Sequence, residues 1–165
     1  PTPISILERG ERLSIRATAL VSQLSADIAT RELNILRDRL GIAQEDLTLQ
    51  RIEHPLGPGN AVWVDLHHEN AREVFSAVGE VNRSAEAVAN DVVDQTRAYI
   101  ASRRPVGPHL ADQLMVPLAL LAGGEYTTGP LTTHARTNLQ TLHTFGITTT
   151  CNEETGRVHI NPLTR

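Results

Sequence analysis

The 165-residue chain contains no lysine; all fifteen of its basic residues are arginine. That excludes a lysine nucleophile, a lysine Schiff base and a P-loop lysine within it. The single cysteine, Cys151, excludes an internal disulfide and a cysteine-built zinc site. Aromatic residues amount to 3%, so the core has to be aliphatic, made of Leu, Val, Ile and Ala. No apolar run approaches the ~20 residues that cross a bilayer. Glu8 and Arg9 stand where a signal peptide would carry its apolar stretch. A cytoplasmic location without membrane association is therefore expected. The net charge of −4 lacks the basic excess that accompanies bulk phosphate-backbone binding. What is present, 40% hydrophobic and 21% charged residues, is enough for a packed core.

In chain order, Ile4 to Leu7 and Leu13 to Val21 read as strands. Ser25 caps a helix from Ala26 to Leu40 with Asp27 in its first turn; Ile28, Leu33, Leu36 and Leu40 form its apolar stripe and Gly41 stops it. Its arginines, Arg31, Arg37 and Arg39, alternate with acids and read as a solvated face. Leu47 to Glu53 is a short strand, and residues 54–60 (His-Pro-Leu-Gly-Pro-Gly-Asn) are a tight connection rather than a P-loop. Ala61 to Leu66 alternates, with Val62, Val64 and Leu66 on one face. His67 and His68 follow on opposite faces, which argues against a shared metal. Val74 to Val78 is another strand, and Ser84 caps a helix through Ile100 with Val88, Val92, Thr96 and Tyr99 inward. Residues up to about 102 thus form a compact α+β unit of order βαβββα.

The stretch from Pro108 to Phe145 concentrates polar chemistry within an apolar framework. His109 to Leu121 reads as a helix whose apolar face is Leu110, Leu114, Pro117, Leu118 and Leu121, with Asp112 and Gln113 in its first turn. Gly123 and Gly124 end it, Glu125 to Thr128 is a strand, and Thr132 or Thr133 caps a helix from about Ala135 to Phe145 with Leu139, Leu142 and Phe145 apolar. This puts His134 at a helix N-terminus, where free N–H groups favour a bound phosphate and the dipole favours a neutral, nucleophilic imidazole, although on the residues alone an ordinary cap or surface histidine is the commoner outcome. Arg136, Thr137 and Asn138 are candidate donors to phosphate or ribose oxygens. His143 and His159 lack such a setting and read as surface or structural residues. Ile147 to Cys151 and Arg157 to Ile160 form a closing hairpin.

Three segments together, Gly57-Pro58-Gly59-Asn60, residues 106–114 (Val-Gly-Pro-His-Leu-Ala-Asp-Gln-Leu) and residues 133–138 (Thr-His-Ala-Arg-Thr-Asn), resemble the RNA 3′-terminal phosphate cyclase family. Glu8-Arg9-Gly10 and the runs at 78–80 and 84–86 fit the same family. The resemblance implies an ATP-dependent ligase that forms a covalent histidine–AMP intermediate and converts an RNA 3′-phosphate into a 2′,3′-cyclic phosphate. By position, His134 matches the adenylated histidine. Asp112 and Gln113 match residues around the nucleotide, and His109 stands where relatives often have a tyrosine that stacks on adenine. ATP and Mg²⁺ or Mn²⁺ are implied, the metal held largely by phosphate oxygens rather than by a protein cage.

The resemblance extends over about the C-terminal half of a family member. It implies that residues 1–8 are a strand of the core domain, 9–102 the inserted α+β domain, and 103–165 the last βα part of the catalytic core. The partners it implies are RNA with a 3′-phosphate end, ATP and the missing N-terminal half, on the same polypeptide or another chain. The chain alone is expected to be inactive. The competing reading is a non-catalytic relative that serves as an RNA-binding or ribosome-assembly module.

Overall fold

The computed structural model describes residues 2–54 and 56–163; Pro55, within the 54–60 connection, lies outside them. In chain order the elements are β1 (Ile4–Ile6), β2 (Arg12–Ser22), α1 (Ala26–Leu40), a 3₁₀ turn (Gln44–Asp46), β3 (Leu47–Arg51), β4 (Gly59–His68), β5 (Arg72–Val78), α2 (Ala85–Ser102), α3 (Pro108–Leu120), β6 (Gly124–Thr127), α4 (Thr133–Thr144), β7 (Thr149–Asn152) and β8 (Arg157–Ile160). The fold is α+β. It divides into two compact units, one of residues 12–67 and 74–101, the other of residues 1–11, 68–73 and 102–165.

The first unit is a four-stranded sheet in the order β3-β2-β4-β5 together with α1 and α2. Helix α1 starts where its cap requires: Ser25 is extended (φ −63°, ψ 136°) and its side chain accepts the Asp27 N–H. It stops at Gly41, whose left-handed φ of 66° lets its N–H return to the Arg37 carbonyl. The alternation read in β4 is borne out, since Val62, Val64 and Leu66 are all fully buried. They pack with Ala17, Ala19, Leu36, Val88 and Val92 into one aliphatic core. Each of the valines and leucines contributes about 1.5–3 kcal/mol on leaving water.

An ionisable residue sits inside this core. Glu32 is fully buried on α1, and Asn60 Nδ2 donates to its Oε1 at 2.5 Å while Oε2 has no partner. Burial pushes its carboxyl up to about 7, with the Asn60 bond pulling the other way.

The second unit is also a four-stranded sheet, in the order β1-β6-β8-β7, with β1 parallel to β6 and β8 antiparallel to both neighbours. Helix α3 packs on β8, α4 on β7, and the two helices pack on each other. The face of α3 that enters the core is Ala111, Met115, Leu118 and Ala119. Of the expected face, Leu118 is buried in the core and Leu110 and Leu114 pack against it, while Pro117 is exposed and Leu121 is 61% exposed. Leucines stand all round this helix, so spacing alone could not choose between its faces; the small Ala111 and Ala119 mark the side of close approach. Phe145, expected inside, is 72% exposed just past the end of α4. The chain leaves α3 through Gly123 at φ 73°, where a side chain would stand 2.7 Å from the Ile160 carbonyl oxygen.

Within the same unit, Glu73 fastens the start of α3. Its carboxylate, 4% exposed, accepts the N–H of the N-cap residue Gly107 at 2.6 Å. Burial raises this carboxyl to about 7 as well, against the effect of the Gly107 bond. Among the described residues no helix is long and apolar enough to cross a membrane.

Candidate functional site

Two helix starts bring the chemistry-bearing residues together in the second unit. Helix α4 begins at Thr133, two residues earlier than its apolar pattern suggests. The extended Thr132 (φ −65°, ψ 162°) caps it by accepting the Ala135 N–H at 3.1 Å. His134 therefore occupies the second helical position, in the first turn, where backbone N–H groups precede the first helical bond. Helix α3 begins at Pro108, so Asp112 lies beyond its first turn, which holds no acid. The expectation that Asp112 sits in the first turn is corrected: it lies one position deeper, and its carboxylate crosses to α4.

Both oxygens of Asp112 are used. Oδ2 lies 2.7 Å from His134 Nδ1, and Oδ1 accepts from Asn138 Nδ2 at 2.5 Å. His134 and Asn138 are four residues apart, hence neighbours on one flank of α4. An ionised carboxylate can only accept, so the imidazole must present Nδ1–H to it. In the neutral ring that leaves the lone pair on Nε2. The Asp112 side chain is 18% exposed and that of His134 79%, so the pair is anchored on one side and open to solvent on the other. The ring is thus set by two features, the bond to Asp112, which favours one tautomer, and the helix end named from sequence.

Tyr126 supports this arrangement from below. It is fully buried on β6, and its hydroxyl donates to the Ala111 carbonyl, the residue before Asp112, at 2.6 Å. Desolvation raises its pKa, which keeps it a neutral donor.

His109, Asp112 and Gln113 have the three- and four-residue spacing of one helix flank. His109 and Gln113 are exposed there, and neither side chain makes a hydrogen bond to another described residue. The structure thus joins Asp112 to His134 and leaves His109 and Gln113 as open side chains on the same helix. The other expected donors are already committed: Arg136 pairs with Glu153 at 2.7 Å, Thr137 returns its hydroxyl to the Thr133 carbonyl, and Asn138 holds Asp112. His143 meets Thr149 at 2.6 Å and His159 meets Asn161 at 3.0 Å.

A cavity of about 170 Å³ lies on the opposite flank of α4, lined among others by Thr128, Arg136, Cys151 and Glu153. Arg136 is two residues from both His134 and Asn138, so this cavity does not open on the His134–Asp112 pair. Burial raises the Cys151 thiol above its ordinary pKa, which keeps it protonated and a poor nucleophile. Among the described residues no three His, Cys, Asp or Glu side chains converge as a metal cage.

A family model described as the RNA 3′-terminal phosphate cyclase insert domain matches residues 7–101. Curated relatives bearing the name RNA 3′-terminal phosphate cyclase extend the likeness through the site. The one from Koribacter versatilis is 39% identical over 142 residues, covering 86% of this chain and 40% of its own length. That from Pseudomonas fluorescens is 38% identical over 143 residues, with 87% and 42% covered. That from Salmonella paratyphi C is 35% identical over 158 residues, with 95% and 45% covered. The chain spans less than half the length of these relatives.

Proposed function

The chain belongs to the RNA 3′-terminal phosphate cyclase family, and from that premise we propose that it carries the nucleophile half of the cyclase site. The relatives' printed name describes an enzyme acting on RNA 3′-terminal phosphates. In the proposed reaction His134 Nε2 attacks the α-phosphorus of ATP, forming a P–N bond as the bond to pyrophosphate breaks. The imidazole becomes cationic with its proton still on Nδ1, and the adjacent Asp112 carboxylate stabilises that charge. The RNA 3′-phosphate then displaces the histidine to take up AMP. Attack by the neighbouring 2′-hydroxyl closes the 2′,3′-cyclic phosphate and expels AMP.

The observation that carries this reading is the 2.7 Å contact between His134 Nδ1 and Asp112, which leaves Nε2 available on an exposed ring. His109 and Gln113, open on the same helix as Asp112, are proposed as contacts to adenine and nucleotide. A divalent Mg²⁺ or Mn²⁺ would neutralise charge on the polyphosphate. The metal is proposed to be held largely by phosphate oxygens, the ligands a hard divalent cation takes from a polyphosphate.

The rest of the site is assigned to the part of the relatives' length that this chain does not span, proposed to be the N-terminal half. The outward side of α3 presents Val116, Leu120 and Leu121 at 44, 64 and 61% exposure, an apolar strip suited to being covered. The division into a core strand at 1–8, an inserted domain at 9–102 and a core segment at 103–165, and a cytoplasmic location, belong to the same proposal.

The test is incubation with α-labelled ATP and Mg²⁺. The chain alone should acquire no acid-labile label; on addition of the N-terminal half it should, and His134→Ala should abolish it. Label surviving that substitution overturns the nucleophile assignment. Robust label on the isolated chain overturns the half-site reading. RNA binding without any label would favour a non-catalytic binding module.

A further inference from the structure

We infer that Asn138 is a positioning residue for His134, acting through the carboxylate of Asp112. The kinetic consequence of this inference rests on the function proposed above; its geometric basis does not.

A carboxylate that meets a histidine through one oxygen is still free to turn about its own Cβ–Cγ bond, a broad and roughly two-fold torsion. Such turning would swing the accepting oxygen away from Nδ1. Here the second oxygen is tied: Asn138 Nδ2 donates to Asp112 Oδ1 at 2.5 Å while Oδ2 faces His134 Nδ1 at 2.7 Å. The two donors stand one turn apart on α4 and close on both ends of a single carboxylate, so its plane is set by one rigid helix. Tyr126 fixes the same α3 backbone one residue earlier, at the Ala111 carbonyl. The carboxylate is thus held at its base and at both tips.

Burial makes the arrangement selective. The Asp112 side chain is 18% exposed, and Asn138 is half-buried beside it, whereas the imidazole is open. Water cannot readily replace the amide at Oδ1, but it can compete for the ring nitrogens. The side-chain amide therefore decides whether Asp112 presents a fixed acceptor to His134 or a mobile one. A fixed acceptor keeps the proton on Nδ1 and the lone pair on Nε2. A mobile one lets the neutral ring populate both tautomers, and the Nε2–H form cannot act as an Nε2 nucleophile. Asn138 touches no substrate in this scheme; its effect passes through Asp112.

The test reads the tautomer directly, by ¹⁵N–¹H long-range correlation NMR of the intact chain at neutral pH, with the His134 signals identified by their loss in His134→Gln. The wild-type ring should show one tautomer, protonated at Nδ1. Asn138→Ala should shift both ring nitrogens toward averaged values, and Asn138→Gln, which keeps a donor, should move them back toward wild type. Asn138→Asp keeps the side-chain shape and covers the case in which the alanine variant loses α4; it should also perturb the ring. A wild-type ring in a folded Ala or Asp variant overturns the inference. In the complete enzyme, Asn138→Ala should lower the single-turnover rate of histidine adenylation about tenfold with little change in the ATP concentration for half-saturation. An unchanged rate, or an effect confined to half-saturation, overturns it as well. If the ring responds but His134 is never adenylated, the proposed function fails and the positioning role stands.

Discussion

The buried hydroxyl of Tyr126 is bonded to the carbonyl of Ala111 at 2.6 Å, so strand β6 holds the turn of α3 from which Asp112 projects. The bond lies in the core, where the Ala111 carbonyl, left with its helical partner alone, cannot replace the lost hydroxyl with water. Tyr126→Phe should therefore destabilise this unit by about 1–2 kcal/mol, read as a lower urea midpoint with an unchanged slope. Its effect on Asp112 should be smaller than that of Asn138→Ala, because the phenyl ring still fills the same space.

Asp112 is the acceptor for two donors, and its removal should be felt twice. Asp112→Ala leaves Asn138 without its carboxylate and frees the His134 ring. A stability loss of about 1 kcal/mol is expected, with adenylation in the complete enzyme falling at least tenfold. Asp112→Asn is the sharper variant. Its amide has only one oxygen, so it cannot accept from both Nδ1–H and Asn138 Nδ2, and it should resemble alanine in rate while keeping more of the stability. A wild-type rate in Asp112→Asn would remove Asp112 from the scheme.

Glu32 and Glu73 make the chain sensitive to pH in the direction opposite to an ion-paired carboxylate. Both are buried, and both have carboxyls raised from 4.5 to about 7 by desolvation. The unfolded chain then gives up these protons at lower pH than the folded one. Their contribution is fully present below about 4.5 and is lost as pH rises through about 7. At a factor of about 1.4 kcal/mol per pKa unit, the loss is on the order of a few kcal/mol for each group. Urea midpoints should thus fall between pH 5.5 and 8, and the double variant Glu32→Gln, Glu73→Gln should flatten that fall. A midpoint that rises over the same window contradicts the assignment.

Local rules made the frame of both units legible in the sequence. Ser25 and Gly41 bracket α1 because cap chemistry acts within a few residues, and the Val62-Val64-Leu66 alternation names a buried strand face without reference to anything distant. The errors share one cause, dependence on a partner far along the chain. Spacing found Leu118 but could not single out Met115 on the leucine-rich α3, and nothing local marked Tyr126 on β6 as the partner of Ala111. Glu32 looked like an ordinary polar helix residue, since the burial that raises its pKa comes from packing and from Asn60. At the site, the helix start beside His134 could be read locally, while the bond from Asp112, twenty-two residues earlier, could not. The family resemblance placed those two residues in one site. Only the fold gives Asn138 its task, because an amide four residues after a histidine is an ordinary helix-surface residue until a carboxylate is brought against both.

The cap of α4 offers the closing test, because it separates helix integrity from ring orientation. Thr132 accepts the Ala135 N–H at 3.1 Å, one residue beyond His134. Thr132→Ala should cost about 1 kcal/mol and let the first turn of α4 fray, which amide exchange at Ala135 would report as faster. Fraying moves His134 away from Asp112 but leaves Asn138, a full turn deeper in the helix, in place. The Asp112–Asn138 bond should therefore survive while the ring loses its single tautomer. Ser25→Ala, the equivalent loss on α1 in the other unit, should have a similar cost and leave the His134 ring unchanged. If the two cap variants disturb the ring equally, its tautomer depends on overall stability and not on the local geometry of α3 and α4.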